Sequence, residues 1–286
     1  MLIHIHADRN RTQRNTKSLL LKLPQELKNR IYGLVCGGQD VHISSEYIRG
    51  FGTQLLSSIC QHPGSQVASY ECFSAVCAND HKNKHEEPYF THGICILAKR
   101  EMSIPEALGR NLLLSCSQIY HEAMLVPISS NTFFFTAPSD LNPFSKKLSP
   151  AMRRAVRSIH LDIELKGEFS ERQWNKTVAA TVVSKLKGLQ HLSIAIRRRH
   201  CLEETPRLAY TGAQHDYGLA ELMSCRIPSL KTVKVMVTDE LSRFLSQIQR
   251  LRFHMLYPEE PPHYWTLKQR KDWAKFIERK LLGLED

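Results

Sequence analysis

Cys72, Cys77, His81 and His85 come nearest to metal chemistry in residue type and spacing. They read C-x4-C-x3-H-x3-H, and a helix over 77–85 would turn Cys77, His81 and His85 to one side, because positions four apart are helical neighbours. Thiolate and imidazole are the ligands of tetrahedral zinc. Zinc fingers, however, separate their Cys and His pairs by about twelve residues, and no other zinc spacing fits. The expectation is loop histidines and small core cysteines, with no cofactor and no metal. Elemental analysis of the purified chain should find no stoichiometric zinc. A tightly held zinc lost on mutation of Cys77 and His81 would overturn that expectation.

Acid–base and nucleophilic chemistry find less to work with. His121 and Glu122 are adjacent, so a helix points them in different directions. Neither HExxH nor GxSxG occurs, and no glycine-rich phosphate loop follows a strand. Cys116 lies one turn before Tyr120 in an apolar stripe and reads as a buried thiol. Asp162 and Glu164 alternate outward on a strand, either pairing with Arg197 or Arg199 of a neighbouring strand or facing water. Fourteen histidines without a constellation are only a composition. The chain is not expected to be an enzyme.

The formal net charge of +11 favours acidic partners. Arg197, Arg198 and Arg199 follow one strand, and Arg153, Arg154 and Arg157 precede another. Gathered at one sheet end, these six would hold phosphates without reading sequence. No aromatic residue alternates with them to stack bases. Non-specific nucleic-acid binding is therefore the alternative function, and a solvated basic rim is the plain one. Eight dispersed cysteines without an export-type leader read as reduced thiols, and no run of about 18 apolar residues spans a membrane. A cytoplasmic or nuclear location is expected.

The elements that must position these residues fall into three parts. In "SLLLKLPQELKNRIYGLV" (18–35), Pro24 suits a first helical turn and Glu26 the positive end of the helix dipole. Leu27, Ile31, Leu34 and Val35 recur at helical spacing, which predicts that Leu27 and Ile31 lie in the core. Leu113, Cys116, Tyr120 and Ala123 predict a second helix over 111–124, stopped by Pro127. "DVHISSEYI" and "NTFFF" read as strands, and about 57–93 as an insertion whose most exposed piece is "NDHKNKHEEP". From 151 to 238 the rhythm changes to helix, loop, strand. "HLDIEL", "HLSIAI" and "TVKVMV" carry matching apolar triplets, which predict three neighbouring parallel strands with crossover helices. Their spacing is wider than that of regular leucine-rich repeats, hence a degenerate repeat-like α/β segment. A helical tail follows: "DELSRFLSQIQRL", a proline-rich break, then a helix with Trp273, Phe276, Ile277 and Leu281 on its apolar side.

The first part resembles a large filamentous-fungal family of largely uncharacterised proteins with an F-box-like amino-terminal domain. The resemblance rests on Leu23, Pro24, Glu26, Asn29, Arg30, Ile31 and Tyr32, then Leu114, Cys116, Gln118, Ile119, Tyr120, His121, Glu122 and Ala123, then Asn131, Thr132 and Phe133. It implies an F-box-like domain over 19–136 carrying the long insertion, followed by a leucine-rich-repeat-like region and helical tail over 151–286. The fold class is α+β. It further implies a protein-interaction module, a substrate adaptor of a cullin-type ubiquitin ligase, docking through Leu23, Pro24, Glu26 and Arg30. About 75 residues separate the two helical blocks, whereas a typical F-box brings its helices together within about 45.

Overall fold

Local signals set the elements in chain order, in a computed structural model that describes residues 18–60, 109–165, 174–175, 178, 185–199, 212, 219–224, 227–240 and 265–284. The turn α1 (Leu19–Lys22) leads into α2 (Gln25–Cys36), for which Pro24 is the extended N-cap and not a first-turn residue. Strands β1 (Asp40–Ile48) and β2 (Gly52–Ile59) form an antiparallel hairpin. Among the described residues three short helices come next: α3 (Arg110–Leu113), α4 (Ser117–Ala123) and α5 (Val126–Ser129).

The single helix expected over 111–124 is therefore broken. Cys116 adopts extended backbone (φ −159°, ψ 158°) and its Sγ accepts the Ile119 N–H at 3.4 Å, capping α4 where a continuous helix would need helical dihedrals. Pro127 sits in the first turn of α5, where its missing N–H costs nothing, and so starts a helix instead of stopping one.

Then come β3 (Thr132–Phe135), α6 (Pro138–Lys147), α7 (Pro150–Ala155), β4 (Ser158–Leu165), β5 (His191–Arg199), α8 (Ala220–Met223), β6 (Thr232–Glu240) and α9 (Leu267–Leu282). The strands make one open sheet in the order β2-β1-β3-β4-β5-β6, parallel throughout except at the β1–β2 hairpin. The three strands expected within 151–238 are thus parallel neighbours. The sheet does not end with them. Thr132 to Phe135 pair in register with Ser158 to Leu161, so sheet hydrogen bonding runs from the 19–136 segment into the following one.

Each parallel strand lies beside the next one in sequence, and the described helical residues that join the sheet core pack on one face. That face carries Val41, Ile43, Phe133, Phe135, Ile159, Leu161, Ile163, Ile194, Ile196, Val235 and Val237 in one core with Leu141 and Phe144 of α6, Trp174, Val178, Leu222 of α8, and Trp273 and Ile277 of α9. The other face presents His42, Phe134, His160 and Asp162, also buried. Phe134 stacks on His160 with ring centroids 4.7 Å apart and lies 5.1 Å from His42.

Two boundaries shift from expectation. β2 continues to Ile59, so residues 57–59 are strand and not insertion. Asp239 and Glu240 end β6 instead of opening a helix, because strand pairing with Arg198 and Arg199 carries through them. The metal-like Cys72, Cys77, His81 and His85, the exposed piece within 79–88 and the rest of the helix expected from 239 lie outside the described residues. The carboxy-terminal helix is where its pattern put it. A capping box of Thr266 and Gln269 opens α9, Gly283 in the left-handed region (φ 69°) closes it, and Trp273, Ile277 and Leu281 are buried.

Candidate protein-interaction surface

Helix α2 has two apolar stripes at four-residue spacing, and packing decides between them. Lys28, Tyr32 and Cys36 face inward, with Tyr32 and Cys36 fully buried. Leu27 and Ile31, expected in the core, are not there: Leu27 is 47% exposed and Ile31 half-buried, while Leu34 is 75% exposed and Val35 46%. The cause is on α4. One carboxylate, Glu122, accepts from Lys28 Nζ, Tyr32 Oη and Gln118 Nε2, each at 2.9 Å. A buried charge with hydrogen-bonding partners outweighs a few exposed methyl groups, because leaving it unpaired costs several kcal/mol. Tyr32 packs with Ile119 and Ala123, edged by Leu20, Leu21, Leu112, Leu113 and Val126. The two helical blocks therefore do bury each other, across 90 residues of sequence, but on the neighbouring side of α2, about 100° round from the one its leucines suggested.

Asn131 fastens the far end of the helix. Its Nδ2 donates to the Cys36 and Pro127 carbonyls at 2.8 Å each, and its Oδ1 accepts the Gln39 N–H at 2.7 Å. Glu122, Gln118 and Asn131 were legible only as members of a motif; nothing in their spacing announced a clamp.

The electrostatics follow the same contacts. The Lys28 and Gln118 hydrogen bonds hold the Glu122 carboxyl below its usual range. Burial, and then the hydrogen bond to Glu122, push Tyr32 up to about 12. Because the folded Glu122 pKa is depressed, its contribution to stability is present above the unfolded carboxylate pKa and is lost as pH falls through the folded value. Thermal unfolding of wild type and Glu122→Gln should therefore differ most at neutral pH and converge in acid. Equal separation at both pH values would contradict the depressed pKa. Burial raises the Cys36 thiol pKa, which makes it a poor nucleophile.

Solvent meets the outer side of α2. Pro24, Glu26 and Arg30 are exposed and Leu23 is half-buried, adjoining Leu27, Leu34 and Val35. Leu19 of α1 is 81% exposed.

The two arginine clusters, which would hold phosphates together if gathered at one sheet end, have their backbones at opposite strand ends. Arg157 precedes the amino end of β4, and Arg153 and Arg154 lie in α7 just before it. Arg197 stands opposite Glu164 near the carboxy ends, and Arg198 and Arg199 follow it in β5. Parallel strands force this, and seven residues of strand separate the levels by about 23 Å. Arg157 Nη1 donates to the Gly188 carbonyl at 3.2 Å, and Arg197 is committed to Asp162 through paired bonds of 2.9 and 3.0 Å.

Among the described residues, no cluster of His, Cys, Asp and Glu is arranged to hold a metal ion, and no helix is long and apolar enough to cross a membrane. No curated protein and no solved structure matches the chain. Residues 13–209 match a family described as a domain of unknown function, DUF7730, and that span includes α2, its clamp on α4 and strands β1 to β5. The chain belongs to the DUF7730 family.

Proposed function

We propose that the chain is a non-catalytic protein-interaction module whose contact surface is the outer side of α2. The observation that carries this reading is the exposure of Leu27, Leu34 and Val35 on a helix whose inner side is fixed by Glu122 and Asn131. A rigid helix presenting leucines at helical spacing fits the groove-docking mode of recognition, in which the apolar side of a helix fills a partner's groove. Holding the helix in place beforehand lowers the ordering cost of association.

The resemblance to F-box-like domains supplies the partner class, an adaptor of a cullin-type ubiquitin ligase, with Leu23, Pro24, Glu26 and Arg30 beside the leucines at the contact. The parallel strands β3 to β6, with α6, α8 and α9 packed in the core on one face, fit the repeat-like region that such proteins use to select substrates. Nucleic-acid binding draws less support, since the basic clusters are divided between opposite strand ends.

Binding of the full chain to the adaptor from its native host, followed by calorimetry, tests the reading. Leu27→Glu/Leu34→Glu should unfold within about 0.5 kcal/mol of wild type, because both positions are surface, and should lose adaptor binding. Pro24→Ala/Glu26→Arg should weaken binding while leaving the fold intact. If folded wild-type chain does not bind, the ligase reading falls. If the leucine double variant binds as well as wild type, the α2 surface falls.

A further inference from the structure

The two edges of the sheet are treated differently. At the β6 edge, the outward N–H of Val235 is taken by Glu278 Oε1 of α9 at 2.8 Å, and the strand carries Lys234, Asp239 and Glu240. An inserted carboxylate, charges and a covering helix are the usual devices that stop an edge from pairing with another chain. At the opposite edge, β2 reads GTQLLSSI, without a charge or a proline in eight residues. Among the described residues, no side chain occupies its outer backbone groups.

Which groups those are follows from the ladder. Cys60 N–H donates to the Asp40 carbonyl at 2.7 Å, which makes Asp40 and Cys60 a directly hydrogen-bonded pair. Antiparallel pairs alternate between bonded and non-bonded. Residues 52, 54, 56 and 58 therefore turn their backbone toward β1, while Thr53, Leu55, Ser57 and Ile59 turn theirs outward. The same alternation aims the Ser45 N–H away from β2. Past the end of β3 it is received by Asp140 Oδ1 at 2.7 Å, so the opposite side of the hairpin is closed.

We infer that β2 pairs antiparallel with β2 of a second copy of this chain. A two-fold axis perpendicular to the sheet keeps each face on its own side, so a residue must meet one of the same parity. Among such registers, one uses all four outward residues of both strands: Thr53 against Ile59 and Leu55 against Ser57. That register places Leu56 on the axis, opposite its own copy. Leu56 is 39% exposed in the single chain, and an apolar pair directly across an antiparallel ladder is a favourable contact. No like charges meet along the strand, which is what self-pairing at an isologous interface requires. The net charge of +11 on each copy opposes association, so the dimer strengthens with salt.

Sedimentation of the full chain over a concentration series tests this. The mass should rise reversibly from 32.9 kDa toward twice that value, at lower concentration when salt is added. Leu56→Lys puts two ammonium groups on the axis and should hold the chain monomeric. Ser57→Pro removes an outward N–H without touching the β1 ladder and should do the same. Amides 53, 55, 57 and 59 of wild type should exchange more slowly as concentration rises, a measurement that needs no variant. Leu27→Glu/Leu34→Glu should dimerise normally, which separates this inference from the α2 reading. A monomer at every concentration and salt overturns the pairing and leaves the edge to a strand from a different protein. A dimer undiminished in folded Leu56→Lys and Ser57→Pro also overturns it.

Discussion

Glu122→Ala is expected to destabilise the folded chain by about 3–5 kcal/mol, measured as a shift in the urea midpoint with an unchanged slope. The alanine removes the acceptor of three hydrogen bonds and leaves Lys28, 6% exposed, with its charge in the interior. The penalty comes mainly from the stranded ammonium and not from the lost attraction. A Lys28→Met/Glu122→Leu double variant, which removes both charges, should accordingly recover much of the loss. A cycle of the two single variants and the double would isolate the coupling. Loss below about 1 kcal/mol for Glu122→Ala would place the pair with ordinary surface ion pairs and undo the account of how α2 is oriented. The exposed Lys268–Asp272 pair on α9, 3.3 Å apart, makes the control, and Asp272→Ala should change stability little.

Trp273→Ala should cost a similar amount, about 3–5 kcal/mol, through the cavity left by the largest fully buried side chain. Trp273 is edge-on to Trp265, ring centroids 5.1 Å apart, and belongs to the core that joins α9 to the sheet. Its loss should be felt first at β6, because α9 also delivers Glu278 to Val235. Hydrogen exchange should show the Val235 amide losing protection before the amides of β4, which lie two strands inward. Uniform loss across the sheet would mean that α9 and the strands unfold as one unit. Trp273→Phe, which keeps most of the apolar volume, should retain most of the stability.

Much of the sheet was readable from its residues. Triplets such as Leu161, Ile163 and Leu165 alternate with polar neighbours, and only one strand face can bury them. The four-residue repeat of Trp273, Ile277 and Leu281 likewise has a single apolar solution. Helix α2 does not. Leu27, Ile31 and Leu34 form a better hydrophobic stripe than Lys28, Tyr32 and Cys36, and periodicity ranks stripes by hydrophobicity alone. What turned the helix was a carboxylate 94 positions away from Lys28, which no local window contains. The break at Cys116 was hidden for a related reason. A thiol capping a backbone N–H looks, in sequence, like one more small apolar residue in a continuous stripe. The split of the arginines followed once the strands were parallel, because one cluster precedes its strand and the other ends its own. The family motif did contain Tyr32 and Glu122, the two residues whose 2.9 Å hydrogen bond joins the blocks.

The distance between Lys28 and Glu122 along the chain also sets a clock. Ribosomes add about 5–20 residues per second, so the 94 positions between them take roughly 5–20 s to synthesise. Through that interval the nascent α2 has no counterion for its inward lysine and nothing against which to set Tyr32. Helices of twelve residues are marginal in water without such packing. The hairpin of β1 and β2 is complete by Ile59 but waits for β3, its parallel neighbour, until Phe135 has been made. The amino-terminal third of the protein thus leaves the ribosome as a chain in need of shelter, with an unguarded strand edge and a leucine-rich helix in the making. Nascent chains stalled before residue 122 should be cut readily by protease within 18–60, and chains stalled far enough beyond 135 to clear the exit tunnel should resist.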